Sequence, residues 1–146
     1  MKYRFHSGQS LVEVVVATGI AMLVLVALVA GATIAVRNSQ FSRTKARAMQ
    51  LNREATEWLR GERKNSWSGF ANNSGTFCLD GLNFTKNRVC SSSEKISNQF
   101  TRQAILLFTD EDSDGTNDKA EIKMITSWTD SSGNHSEEII TYLTKW

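Results

Sequence analysis

The chain has 146 residues, 40% of them hydrophobic and 22% charged, with a formal net charge of +2. A chain of this length normally forms one domain, but its apolar residues are unevenly distributed. Residues 11 to 36 are apolar at all but five positions and contain a single charged side chain. The charges are also sorted, since residues 37 to 64 carry a net charge of +5 and residues 104 to 146 a net charge of −6. These patterns exclude a uniformly soluble globule, and the small total charge says little about partners.

Residues 9 to 36 have the length and composition of a membrane-spanning helix. An almost uncharged apolar run of about 18 or more residues is typical of such a helix. At about 1.5 Å per residue, residues 11 to 36 extend over roughly 39 Å, which exceeds a hydrocarbon core of about 30 Å. A cleaved secretory signal does not fit, because its apolar stretch has only about 7 to 15 residues. We therefore expect a single-pass membrane helix over residues 9 to 36.

The residues around the start of this helix form a recognisable junction. A short basic leader ends at Gly8, and Glu13 is the fifth residue after it, followed by an apolar run. This order resembles the leader junction of type IV pilins and type II secretion pseudopilins. The resemblance implies that a prepilin peptidase cleaves between Gly8 and Gln9 and removes residues 1–8. The family usually has an N-methylated Phe after the cut, so Gln9 leaves methylation open.

Glu13 needs a physical explanation, because a charged side chain inside a bilayer costs at least about 2.5 kcal/mol. The resemblance implies that in a growing filament this carboxylate pairs with the freed α-amino group of a neighbouring subunit, which here belongs to Gln9. The simpler alternative is that Glu13 lies at the headgroup level of an ordinary, unrelated membrane anchor.

Counting positive charges does not agree with the orientation that the resemblance implies. The leader offers only Lys2 and Arg4, so the count would put the C-terminal part in the cytoplasm. More positive residues follow the apolar run: Arg37, Arg43, Lys45, Arg47 and Arg53. We expect the family orientation, with the head outside the cytoplasm, because a cysteine pair and an acidic loop both suit that compartment. The expected location is the cell membrane and then a filament or the cell surface.

Residues 37 to 64 predict an amphipathic continuation of the helix, because their apolar positions keep to one helical stripe. The stripe consists of Phe41, Ala48, Leu51, Ala55, Trp58 and Leu59. The basic residues around it allow a solvated face, a surface that meets acidic residues of the same or a neighbouring subunit, or nucleic-acid binding. Few aromatic residues interleave with them, which makes nucleic acid an unlikely partner.

Residues 65 to 146 predict a β-rich head. Residues 65 to 76 are typical of a loop, and short strands are expected around Phe77–Leu79 and Arg88–Cys90. Residues 104 to 108, 121 to 128 and 138 to 143 predict three longer strands in an antiparallel meander. The apolar face of that sheet needs a cover, which the stripe of the amphipathic helix can supply. The expected fold is therefore α+β, with a long N-terminal helix packed on a small antiparallel sheet.

The two cysteines, Cys78 and Cys90, both lie in the head. Only one intramolecular pairing is possible, and the expected compartment is oxidising. We therefore expect a disulfide between them; two free thiols in a small core are the alternative.

An acidic segment between the first two long strands matches the calcium-loop pattern D-x-[DN]-x-[DN]-G-x5-E at every position. The pattern assigns oxygen ligands to Asp110, Asp112, Asp114, the carbonyl of Thr116, Asp118 and Glu121. Because its flanks predict strands, the loop would bind calcium at a hairpin tip rather than between two helices. A solvated acidic turn is the alternative. The resemblance adds weight to calcium, since some pseudopilins are calcium proteins.

No catalytic motif is evident, and no histidine stands at a suggestive spacing from the cysteines. The resemblance implies a pilin-like structural subunit, a minor pilin or pseudopilin, of a type IV pilus or type II secretion filament. Its expected partners are the prepilin peptidase, other pilin-like subunits and the inner membrane. A membrane-anchored calcium-binding or adhesion module that does not polymerise is the first alternative. An anchored enzyme is the second, and it would require a catalytic constellation.

Overall fold

A computed structural model describes the backbone of residues 9–145 and the side chains of residues 11–145. The chain forms two helices followed by four strands, in an α+β arrangement as the sequence predicts. Their bounds are α1 Gln9–Asn65, α2 Trp67–Ala71, β1 Gly75–Cys78, β2 Thr101–Thr109, β3 Lys119–Asp130 and β4 Gly133–Thr144. The chain divides into two compact units, of which the first ends at Arg43 and the second begins at Thr44. Helix α1 continues across this division and also across residue 36, where the membrane segment was expected to end.

The first unit contains a helical stretch long and apolar enough to cross a membrane. Its most apolar window of 18 residues has a mean hydropathy of 2.7, and none of that window is buried. Two hydroxyls inside it are satisfied by the helix itself: Thr18 Oγ1 donates to Val14 O at 2.9 Å and Thr33 Oγ1 donates to Val29 O at 2.8 Å. Such back-bonding leaves no hydroxyl without a partner in a medium that has no water.

The second unit contains an antiparallel sheet with the strand order β1-β2-β3-β4. Strands β3 and β4 pair over twelve consecutive residues without a shift in register, from Lys119↔Thr144 to Asp130↔Gly133. A two-residue turn, Ser131–Ser132, joins them. The three longer predicted strands lie inside β2, β3 and β4, so the predicted meander is confirmed.

The core lies between the C-terminal part of α1 and one face of the sheet. The predicted stripe supplies Ala48, Leu51, Ala55 and Leu59, all of which are buried. Opposite them, β3 presents Ala120, Ile122, Met124, Thr126 and Trp128, which alternate with half-exposed residues as a half-covered strand requires. Two predicted members of the stripe differ: Phe41 is 39% exposed, and Trp58 packs only partly buried against the core.

Two buried polar side chains connect α1 to the sheet. Asn52 Nδ2 donates to Glu137 O at 2.8 Å, and Asn52 Oδ1 accepts from Thr126 Oγ1 at 2.6 Å. The Arg102 guanidinium, which is 3% exposed, donates to Leu51 O at 2.9 Å. Burial lowers the pKa of Arg102, and the nearby carboxylate of Glu54 opposes that shift. Hydrogen bonding offsets much of the cost of burying these groups.

The region between α1 and β2 departs from two predictions. Within residues 65 to 76, predicted as loop, the short helix α2 forms and the Ser66 side chain caps it by accepting from Gly69 N–H. The strand predicted at Arg88–Cys90 does not form. Its residues have no neighbouring strand to pair with, and Arg88 is instead held by two hydrogen bonds to the Glu94 carboxylate.

The predicted disulfide between Cys78 and Cys90 is confirmed. It ties the end of β1 to the irregular segment that follows, with the two Cα atoms 4.7 Å apart. Lys86 adds ion pairs to Asp80 and to Glu94 in the same segment. A covalent bond and charged contacts therefore order a stretch of chain that has little secondary structure.

Candidate functional site

Glu13 is exposed near the beginning of α1, one turn into the helical stretch. Its neighbours along the same face are apolar and equally exposed: Val12, Val16 and Ile20. Within residues 11–145, no side chain or main-chain group forms a hydrogen bond or ion pair with its carboxylate. An apolar surface of this kind is unfavourable in water and so needs lipid or another helix as its partner.

The proposed cleavage position is only partly covered by the structure. Gly8 lies outside the described residues. Gln9 is the first residue of α1, and its side chain is likewise outside the described part of the chain. Glu13 lies four positions after Gln9, so the two are about one helical turn apart in the same chain.

The acidic segment forms the connection between β2 and β3, between Thr109 and Lys119. Asp110 organises its first half, since Oδ1 accepts from Ser113 N–H at 2.7 Å and Oδ2 accepts from Gly115 N–H at 2.9 Å. Gly115 has φ of +86°, a conformation that strains other residues. The calcium-loop pattern requires glycine at this place for its sharp turn. The conformation of the loop therefore explains why the pattern has Asp at its first position and Gly at its sixth.

Four of the predicted ligands come together. The carboxylate oxygens of Asp110, Asp112, Asp114 and Asp118 all lie within 4.8 Å of one another. Glu121 is not in that group; it lies in β3, paired with Leu107 on β2 and Tyr142 on β4. Thr116 is in the loop, where its N–H donates to Asp114 Oδ1 at 2.7 Å.

The electrostatics of the cluster are those of crowded carboxylates. Two opposing effects act on the pKa of Asp112. The hydrogen bond from Asp114 N–H lowers this pKa, but desolvation and the negative charges of Asp114 and Asp118 raise it by more, so the net shift is upward. Hydrogen bonds from the Thr116 side chain and N–H lower the pKa of Asp114, which keeps it ionised. Carboxylate oxygens are the ligands that calcium prefers, and a cation here would offset the repulsion. The donor set therefore fits calcium, with four of its expected ligands in one place.

Contacts that the sequence pattern did not reveal hold the loop against the rest of the head. Trp67 Nε1 donates to Asn117 O at 2.6 Å, and Lys145 N–H donates to Asp118 O at 2.8 Å. Glu111 is turned away from the carboxylate cluster and forms an ion pair with Lys119 at 2.8 Å. The sequence shows an aromatic residue, Trp67, just after the long helix, but it does not indicate which group that residue would bond to.

Comparison of the chain with protein-family models, with curated proteins and with solved structures gives no match.

Proposed function

We propose that the protein is a pilin-like structural subunit, of the minor pilin or pseudopilin type, that is trimmed by a prepilin peptidase and assembles into a filament. The observation that carries this proposal is Glu13: one carboxylate on an exposed apolar helix, five residues after Gly8. An ordinary anchor has no need for a charge inside the bilayer, where it would cost at least about 2.5 kcal/mol.

Assembly would remove that cost. In a filament the apolar part of α1 packs against the same part of other subunits, and the Glu13 carboxylate meets the amine that cleavage frees on Gln9 of a neighbour. Oppositely charged groups removed from water together are far less costly than one charge alone. The β-sheet head then faces outward, and α1 connects it to the filament core.

The test is expression of the full chain with and without a prepilin peptidase, followed by mass spectrometry of the N-terminus. The mature protein is expected to begin at Gln9, and Gly8→Ala is expected to retain the leader. In cells that make filaments, Glu13→Ala is expected to remain in the membrane but to be lost from sheared filaments. The matched control is Glu57→Ala, which removes an exposed carboxylate from the part of α1 in the second unit and should incorporate normally.

A mature start elsewhere, or normal incorporation of Glu13→Ala, would remove the basis of the proposal. Trimming of the leader without any filament association would favour the second candidate, a membrane-anchored calcium-binding or adhesion module that does not polymerise. The observation that favours this second candidate is the acidic cluster, because a cation site in the head can serve a binding module as well as a filament.

We also propose that calcium binds in the connection between β2 and β3, held by Asp110, Asp112, Asp114 and Asp118, with the Thr116 carbonyl as a further oxygen. Glu121, the last ligand of the sequence pattern, lies outside this cluster. Calcium would supply the positive charge that the crowded carboxylates lack, and so stabilise the head. The clustered oxygens and the left-handed glycine support this assignment. Calcium binding is compatible both with a filament subunit and with a membrane-anchored module that does not polymerise.

A further inference from the structure

Strand β4 forms an open edge of the sheet. The opposite edge, β1, has only four residues, and its Cys78 N–H is already bonded to Lys86 O at 3.0 Å. By contrast, β4 has twelve residues that pair with β3 on one side only. Proteins usually protect such an edge with charged side chains, proline, a bulge or a short strand. In β4 only the first of these is present, as Glu137 and Glu138, and both carboxylates are already paired, with Lys45 and Lys123. Proline, lysine and a bulge are absent from Gly133 to Thr144.

The hydrogen-bond alternation shows which main-chain groups are open. Lys145 N–H donates to Asp118 O, so these two residues form a hydrogen-bonded pair of the β3–β4 ladder. Because such pairs alternate along antiparallel strands, the odd-numbered residues of β4 bond to β3 and the even-numbered ones point away. The open N–H and C=O groups are those of five residues, since Thr144 O accepts from Arg63 at 3.3 Å. They belong to Asn134, Ser136, Glu138, Ile140 and Tyr142. Within residues 11–145, no hydrogen bond reaches the main-chain groups of these five from outside the strand.

A groove of about 400 Å³ lies beside this edge, between β4 and α1. Its sheet side is formed by Ile139, Ile140 and Thr141, and its helix side by Arg53, Thr56, Glu57 and Arg60. Arg60 is engaged by Glu57 at 2.6 Å, whereas Arg53 has no hydrogen bond or ion pair with any described residue. On the outer face of the same strand, Ile140 is 47% and Tyr142 57% exposed.

We propose that the β4 edge binds an extended, acidic segment of a partner protein, which adds a fifth strand to the sheet. Main-chain bonds to Ser136, Glu138, Ile140 and Tyr142 give the affinity, as in other cases of strand addition. Alternate side chains of the added strand enter the groove, where a carboxylate meets Arg53. The other side chains lie next to Ile140 and Tyr142 and are therefore apolar. The preferred segment alternates acidic and apolar residues.

A second copy of the chain is a poor occupant of this edge. Its β1 edge is covered, so two copies could extend a sheet only by pairing β4 with β4. Antiparallel pairing of identical strands places a two-fold axis perpendicular to the sheet, so both helices lie on the same face. On that face the second β4 offers Arg53 only one carboxylate, Glu137, which is already paired with Lys45 at 2.9 Å.

The test uses the full chain in detergent micelles and a fluorescein-labelled heptapeptide, Ile-Asp-Val-Thr-Ile-Asp-Val, with binding followed by fluorescence anisotropy. A matched peptide has Lys in place of both Asp residues. The wild type is expected to bind the acidic peptide at least about tenfold more tightly, because charge complementarity sets specificity. Arg53→Glu is expected to reverse that preference, which a general loss of structure could not do.

Main-chain pairing is tested separately. Ile140→Pro removes an N–H that points away from β3, so it blocks strand addition and leaves the β3–β4 ladder intact; Ile140→Thr is the control. In the proposed pairing, the main-chain N–H groups of the peptide's Ile and Val residues point towards β4. A peptide N-methylated at these residues is therefore expected to lose binding to the unaltered protein. Equal binding of the methylated and unmethylated peptides, an unchanged preference in Arg53→Glu, or no binding of either peptide at about 1 mM would overturn the proposal. Self-association of the chain that Ile140→Pro abolishes would assign the edge to a second copy and would also overturn it.

Discussion

Calcium is expected to raise the unfolding temperature of the isolated head, residues Thr44–Trp146, which contains the whole core and the disulfide. The perturbations are removal of calcium by a chelator and the substitution Asp112→Ala. Asp112 has the carboxylate whose pKa is raised by its acidic neighbours, so it gains from a cation that neutralises them. Without calcium, the same crowding acts against the folded loop.

The expected effect follows from linkage. If free calcium is one hundred times the dissociation constant, binding stabilises the folded head by about 2.7 kcal/mol. For a unit of roughly 100 residues, about 1 kcal/mol moves the midpoint by some 4 °C or more, so the expected rise is about 10 °C. Magnesium should do less, because it requires a tighter octahedral site and retains its waters.

The assay is thermal unfolding followed by circular dichroism, in calcium, in magnesium and in chelator. Glu111→Ala is the matched control, because Glu111 is in the same loop but forms an ion pair with Lys119 outside the carboxylate cluster. The calcium-dependent rise should persist in Glu111→Ala and disappear in Asp112→Ala. Equal midpoints in calcium and chelator for the wild type would refute the reasoning and leave an acidic, solvated turn.

Two further outcomes concern the segment between β1 and β2. Replacing Cys78 and Cys90 together by Ser should lower the free energy of unfolding by about 3 kcal/mol, because the bond closes a loop of roughly a dozen residues; denaturant unfolding measures the change, and an unchanged midpoint would contradict it. The pKa of Glu94 is lowered by hydrogen bonds from the Arg88 side chain and from Ser91 N–H. Its contribution to stability is therefore complete above the unfolded pKa of 4.5 and is lost as the pH falls below that value. Glu94→Gln should flatten the acid limb of a pH–stability curve, and an unaltered limb would show that other carboxylates dominate it.

The parts of the fold that the sequence could predict are those in which the pattern repeats. The alternation in residues 121 to 128 and the helical stripe from Ala48 to Leu59 each report which face is buried, so the sheet and its cover were predictable. Arg88–Cys90 has the composition of a strand, but a strand needs a neighbour, and composition does not supply one. Helix α2 was missed because its five residues are too few for a periodic signal.

The candidate site divides in the same way. The spacing of the acidic residues identified the loop, because the pattern contains its ligands and its turn within one segment. The positions of Glu121 and of Trp67 depend on contacts with β4 and with Asn117, which are distant in sequence. The buried Asn52 and Arg102 gave no signal either, since a polar residue on a helix or strand is more often exposed.

The pairing of Asn52 with both Thr126 and Glu137 determines where α1 can sit along the sheet. The apolar stripe alone does not, because its small and large residues recur about once every two turns, and a slip of about 11 Å would bring similar side chains over the same strands. Such a slip would leave the amide, the hydroxyl and the carbonyl buried without partners. Tension applied along the helix should therefore not make it slide over the sheet by two turns. The helix and the sheet would resist the applied force together until they unfold. Under increasing force the protein should therefore extend little and then unfold in one step.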